Sequence, residues 1–298
     1  MNSGKMTNKG WEFRVDAVPF ENRDWRVGFY FNIAHNENKI TEMPDNYTEE
    51  NYTFNNGEYA YRREEGRPMG SFYGYRYKGV CQNKDATYAR DADGNVMKDI
   101  SGNAIVMRNG TATIAPGDAL YEDINHDGVI NQYDIVYLGN SNPRFTGGAG
   151  VNVSYKQFKL SAIFYGRYGQ DVVNSTRLNN ESMRGIDNQS TAVLRRWRNE
   201  GDQTDIPRAL YGEGYNTLGS DRFVEDASYL RLKSLSFNYR LPKKIIQRWG
   251  FSNIDVYVTG YNLFTWTKYT GQDPEVKTEN TYAVSYTHLR AHETDSYL

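Results

Sequence analysis

One cysteine, Cys81, in a chain of 298 residues excludes an internal disulfide. No spacing joins it to His35, His126, His288 or His292 as a nucleophile with its base, so a thiol enzyme is not indicated. No run of about 18 apolar residues exists, which excludes a transmembrane helix. After Met1 there is no basic segment followed by an apolar one, so no secretory signal is read there, and an exported protein would have its true N-terminus upstream. A net charge of −2 gives no general reason to expect nucleic acid as a partner.

What is present is aromatic and glycine-rich. Hydrophobic residues make up only 38%, yet 14% of the chain is aromatic, with 25 Tyr, which argues against disorder. A polar average with many aromatic and Gly residues fits a soluble β protein with large loops. It equally fits an outer-membrane barrel, polar on its lumen face and apolar outside.

The strands declare themselves by alternation. Trp11, Phe13, Val15 and Ala17 alternate with Glu12, Arg14 and Asp16; after a polar turn at Glu21–Asp24, Trp25, Val27, Phe29, Phe31 and Ile33 alternate again. This is a hairpin, of a length that a tilted strand needs to cross a bilayer or that a soluble β-sandwich would also use. Ala149–Tyr155 and Phe158–Tyr168 form a second hairpin about Lys156-Gln157. A third pairs Arg222–Leu241, read as one long strand, with Asn253–Trp266 across a basic connection at Pro242–Gly250. Leu235, Phe237 and Tyr239 share one parity and Leu230 and Leu232 the other, so a bulge or an exit from a membrane band is expected between them.

Between the hairpins lie long polar excursions. Residues 36–115 are too long for an ordinary connection. They contain an aromatic patch, Pro68–Val80, whose Phe72, Tyr73, Tyr75 and Tyr77 either pack the loop on itself or stack on sugar rings. Asp91–Asn95 and Asp99–Asn103 are two similar turn sequences. In the second excursion Ser190–Glu200 reads as a helix with Ser190 as N-cap. The adjacent carboxylates Glu225 and Asp226 read as solvent-facing.

Gly117–Tyr155 joins a loop to a strand. Within it, Asp123–Asp134 has the ligand spacing of a calcium loop: Asp123, Asn125 and Asp127 at alternate positions, Gly128 at the sharp turn, then the Val129 carbonyl, Asn131 and Asp134. Alternating oxygen donors on a tight loop suit a structural Ca²⁺. An Asp in place of the usual bidentate Glu at the last position, and flanks that are not helices, leave open an Asx-rich turn that needs no metal.

Short turns at 21–24, 156–157 and 242–250 alternate with long polar loops. An outer-membrane barrel shows that asymmetry. Trp11, Trp25, Tyr165, Tyr168, Tyr239, Trp249 and Trp266 near strand ends fit interfacial girdles or a buried aromatic core.

The blocks NKGWEFRVDAVPF, WRVGFYFNIAHNENKI, GSFYGYRYKGV, GDALYEDINHDGVINQYDIVYLGNSNPRFTGG, EDASYLRLKSLSFNYRLP and VYVTGYNLFTWTKYTGQDPEV, from about Asn8 to Val276, resemble the C-terminal part of SusC/RagA-type TonB-linked outer-membrane transporters. The resemblance implies an all-β fold, a partial antiparallel transmembrane β-barrel of about six C-terminal strands out of 22, with the plug absent. It implies location in the cell outer membrane and energy from the TonB complex through a missing N-terminal part. It further implies a SusD-like surface lipoprotein as lid, a glycan or peptide as cargo, and no catalytic residues. Residues 1–284 are expected to be this barrel piece. Residues 285–298, SYTHLRAHETDSYL, show no sustained alternation and are expected to be a non-native tail. The alternative is a soluble, secreted, calcium-stabilised β-sandwich that binds glycan.

Overall fold

A computed structural model describes residues 4–44, 55–60, 62–212 and 215–275, together with the backbone of 278–279 and 282–283. The tail expected at 285–298 lies outside the described residues.

Six long strands form one antiparallel sheet in chain order: β1 (Lys5–Glu21), β2 (Trp25–Glu42), β3 (Phe145–Tyr155), β4 (Phe158–Tyr168), β5 (Tyr229–Arg240) and β6 (Asp255–Thr267). Every pairing joins a strand to its neighbour in that order, a meander. The alternation read from sequence sets the register, because slipping any strand by one residue would turn its apolar set to the other face. One row of direct partners runs Val15, Phe31, Ala149, Phe164 and Leu232. Another runs Val27, Val153, Leu160, Phe237 and Val258. Polar partners fill the opposite face: Ser161 hydrogen-bonds Asn152, and the Ser236 and Thr259 hydroxyls lie 2.8 Å apart.

The expected bulge is present. The ladder of β5 slips between Leu232 and Ser234 against β6, and between Ile163 and Phe164 on the β4 side. Against β4 Lys233 is the extra residue, and it brings Leu230 and Leu232 onto the face of Leu235 and Phe237; against β6 the single Lys233 faces two residues, Asn262 and Leu263. At Gly150 a side chain is excluded: the Tyr30 ring, its partner across β2 and β3, covers the position so closely that a Cβ would sit 2.1 Å away.

The apolar face of the wall is not a core. Phe13, Phe31, Phe237 and Val258 are 52%, 41%, 44% and 71% exposed, and the six-stranded sheet pairs with no second sheet among the described residues. A soluble sandwich buries such a face under an opposing sheet, so that expectation is set aside. Trp11, Trp25, Tyr168, Trp249 and Trp266 are likewise 41–63% exposed, which decides for girdles over a buried aromatic core. Tyr165 departs from the girdle reading: it pairs with Gly148 and Arg231 on the polar face and accepts a hydrogen bond from Arg167. Among the described residues no helix is long and apolar enough to cross a membrane.

The buried residues gather instead in the two excursions. The main cluster contains Tyr73, Tyr75, Cys81, Ala119, Tyr121, Ile130 and Leu218, and thus joins residues of both. The short strands Ser71–Gly74 and Val136–Asn140 pair and close the first excursion on itself. Residues 222–241 do not form one strand: Val224–Asp226 pairs with Asp171–Val173, and β5 begins at Tyr229. The segment expected to be helical is a single 3₁₀ turn, Thr191–Arg195, whose N-cap is indeed Ser190, bonded to the Ala192 N–H. The α-helix of this excursion, α1, is Ser175–Asn180, capped by Asn174.

Candidate functional site

The aromatic patch is structural. Phe72, Tyr73 and Tyr75 are 1%, 1% and 2% exposed, and the Tyr77 hydroxyl donates to the Asp205 carbonyl at 2.7 Å. Strand alternation and glycine turns bury these rings against Tyr121 and Tyr137, so they offer no stacking surface for a sugar. Cys81 sits in the same core, fully buried, and burial pushes its thiol up to about 12, which leaves it protonated and unreactive.

The Asp91 and Asp99 turns are near copies. In each, the first Asp Oδ1 accepts from the N–H groups two and four residues on, at 2.8–3.0 Å. These are Asx turns in which the side chain stands in for a backbone acceptor.

The six residues proposed from sequence as cation donors come together in one loop. Asp123 Oδ2 accepts from Gly128 N–H at 2.8 Å, and Asp127 Oδ1 from Val129 N–H at 2.8 Å. Asn125 Nδ2 donates to Asp127 Oδ2, and Asn131 Nδ2 to the Val129 carbonyl. Gly128, at φ +81°, takes the sharp turn in the left-handed region that glycine enters without cost. Asp134 is fully buried; its two oxygens accept from Ile124 and Asn131 N–H at 2.8 Å, the second within a capping box on the 3₁₀ turn Gln132–Asp134. Burial, with Asp123 and Asp127 adding like charge, pushes the Asp134 carboxyl above the usual range against those two bonds. The described residues hold no group of three or more His, Cys, Asp or Glu side chains placed for a metal. A cation here would therefore draw on amide and carbonyl oxygens as well as carboxylates.

A second polar cluster was not anticipated. Glu181 bonds Arg177 at 3.0 Å and Arg222 at 2.8 Å, and Arg177 also reaches Glu225 at 3.2 Å. Glu225 is not solvent-facing: it accepts from Asn174, from Arg177, and from both the N–H and the hydroxyl of Thr270. Burial would raise its carboxyl, but these bonds prevail and hold it below the usual glutamate range. On the polar face of the wall, buried Arg231 grips Asp273 at 2.5 Å and Glu275 at 2.8 Å. The chain beyond β6 is thus folded back against the wall and the second excursion. Apart from Arg177 and Glu181, which are one helical turn apart, the partners lie about 40 to 50 positions apart, and no local pattern in sequence marks them.

The wall, exposed on its apolar face and polar on the other, with short turns at one end and folded excursions at the other, is a barrel segment rather than an enzyme cleft. No protein-family model matches the chain. Over 94% of its length it is 33% identical to TonB-dependent receptor P3 of Formosa agariphila. Over nearly its whole length it is similar to the SusC/RagA-type TonB-dependent receptors. The likeness extends to TonB-dependent receptor SusC of Bacteroides thetaiotaomicron, 26% identical over 93% of the chain. Among solved structures it is similar to the RagAB peptide transporter, with a TM-score of 0.62 and 26% identity over 92% of the chain, and 27% of that chain is covered. The chain spans about a quarter of the length of the curated relatives it matches, 26% of the first and 25% of SusC. The six-stranded sheet matches part of the barrel of a TonB-dependent transporter, and the relatives are named receptors and transporters.

Proposed function

We propose that this chain is barrel wall and outside loops of an outer-membrane importer driven by the TonB complex and lidded by a SusD-like surface lipoprotein, with a glycan or peptide as cargo. The wall's two faces carry the reading: an exposed aromatic face suited to lipid, backed by a face of Ser, Asn, Thr and charged residues suited to a wet lumen. No bond is made or broken. Cargo is captured between the outside loops and the lid, then passes when the plug is displaced. The test uses the full-length protein in its native cell. Fractionation should place it in the outer membrane, and affinity purification should recover a lipoprotein. Deletion should abolish uptake of the cargo in a TonB-dependent way. Recovery in a soluble fraction would overturn the reading.

We also propose that Asp123, Asn125, Asp127, the Val129 carbonyl, Asn131 and Asp134 take a structural Ca²⁺. Support comes from the Asp134 carboxyl, raised first by its burial and further by Asp123 and Asp127, a penalty that a divalent cation would relieve. The ion would stiffen the return limb of the first excursion before β3, without a catalytic role.

A further inference from the structure

On the exposed face of the wall, near the strand ends that lead into the excursions, lies an open pit of about 700 Å³. Its floor is a pair of glycines, Gly147 and Gly166, direct partners across β3 and β4 in a row that runs Ile33, Gly147, Gly166, Leu230, Trp266. On every strand that row lies two residues from the row of Phe31, Ala149 and Phe164, so it shares their face. The backbone around the two glycines excludes a side chain. A Cβ would come within 2.5 Å of the Asn32 carbonyl oxygen at Gly147, and within 2.8 Å of the Tyr229 carbonyl oxygen at Gly166. Phe31, Phe145, Phe164, Tyr168 and Trp266 stand around the pit. Three charged residues also line it. Arg167 turns its guanidinium to the Tyr165 hydroxyl on the polar face, and the Asp226 carboxylate accepts from the Ser228 N–H at 2.9 Å. Lys268, exposed just beyond the end of β6, makes no hydrogen bond or ion pair with the described residues.

We propose that the pit holds an acyl chain of a phosphate-bearing lipid of the outer leaflet, with Lys268 on the phosphate. The proposal rests on the outer-membrane reading, which puts this face in the bilayer and the excursions outside. A flat wall touches lipid chains from one side only and exchanges them freely. Here two missing side chains leave a recess in which methylenes meet apolar atoms on several sides at once. The rings at the rim stand proud of the floor and keep a broad surface away from it. Neither a second copy of this chain nor a membrane helix reaches the glycines, whereas a single slender chain does. Charge then selects among lipids. Tyr168 and Trp266 mark the level where headgroups lie. Lys268, the one charge at the pit without a partner among the described residues, meets an anionic headgroup there.

The full-length transporter, purified in detergent and washed free of native lipid, would be examined by native mass spectrometry with dipalmitoyl phosphatidate, with dipalmitoylglycerol and with inorganic phosphate. Phosphatidate should stay bound, dipalmitoylglycerol about fivefold more weakly, and inorganic phosphate not at all. Lys268→Ala, an exposed change, should bring phosphatidate down to the level of dipalmitoylglycerol. Ala149→Phe, which fills the pit beside its floor, should weaken both lipids about tenfold. Leu230→Ala, which removes one wall, should weaken both in the same sense. Val258→Phe, on the same face but outside the pit, should change neither. The pit is refuted if Val258→Phe acts as strongly as Ala149→Phe, if Lys268→Ala keeps the preference for phosphatidate, if inorganic phosphate binds alone, or if Ala149→Phe separates a dimer instead of releasing lipid. Fractionation of the unsubstituted protein is scored separately. A protein placed in the outer membrane that retains no phosphatidate counts against the pit alone, whereas a soluble one counts against the outer-membrane reading.

Discussion

Arg208 holds Asp118 with two hydrogen bonds, Nε to Oδ1 at 2.7 Å and Nη2 to Oδ2 at 3.1 Å, across 90 positions of sequence. Asp118 is buried and also accepts from Ala115 N–H, so the pair pins the second excursion to the first. Beside it Gly117, at φ +91°, lies under the Trp197 ring, where a Cβ would come within 2.3 Å. Asp118→Ala should leave Arg208 without its partner and cost roughly 2–3 kcal/mol. That is below the full value for breaking a buried pair, because Arg208 remains about a third exposed. Hydrogen exchange of segments 81–121 and 190–212 should rise together in this variant, while the wall strands stay protected. Faster exchange in only one segment would show that the pair does not couple them.

Glu225 makes a pH-dependent latch on Thr270. Its carboxyl is held below the usual range in the folded protein, so the folded state binds fewer protons than the unfolded chain. The stability it contributes is fully present above the ordinary glutamate pKa and is lost as pH falls through the lower, folded value. Hydrogen exchange at residues 268–275 should therefore accelerate below about pH 4, and Glu225→Gln should exchange fast at every pH. A variant with the pH profile of the parent would dismiss the latch.

Two adjacent residues of β5 should tolerate charge in opposite ways. Phe237 belongs to the exposed apolar face, and Asn238 faces the polar side with Lys159. Phe237→Arg in the full-length protein should be destabilising, by an amount set by its depth in the bilayer, and reduce outer-membrane assembly. Asn238→Arg should assemble normally. The comparison is read as the heat-modifiable barrel band on a gel, and equal assembly of both would reverse the assigned faces.

Calcium should act through Asp134. Because burial and two acidic neighbours raise its carboxyl, the loop is destabilised as pH rises through the window between the ordinary aspartate value and the raised one. A bound cation removes that penalty. Calcium should therefore protect segment 120–136 from proteolysis strongly at pH 7 and little near pH 4, and Asp127→Ala should abolish the effect. Indifference to calcium at pH 7 would leave the loop as a plain Asx turn.

The wall was legible because each of its residues meets one of two environments. Val151 beside Asn152 and Leu160 beside Ser161 write the period of the pleat directly into the sequence. Even the bulge at Lys233 shows as a change of parity between Leu232 and Leu235. The excursions were not legible to the same degree, because distant residues decide their form. The Tyr121 hydroxyl accepts from the N–H of Leu218, and Arg222 meets Glu181. Ser190–Glu200 looked helical from its cap and spacing, but Trp197 pairs its N–H with the Ile206 carbonyl and lies over Gly117, so the helix stops after one turn. α1 is only six residues long and carries no periodicity to read. The acidic loop was legible as a turn because Asp, Asn and Gly write their hydrogen bonds locally.

The pairing of Ser71–Gly74 with Val136–Asn140 bears on the order in which the wall can assemble. β2 and β3 are neighbours in space but are separated by the whole first excursion. Bringing their ends together costs entropy that grows with the logarithm of the free chain between them. Once the two short strands zip, that chain is roughly threefold shorter, which lowers the closure cost by about 1 kcal/mol and holds Phe145 near its berth beside His35. The first excursion is then a folding clamp: a variant that unzips it should slow the docking of β3 on β2 even where the finished wall is equally stable.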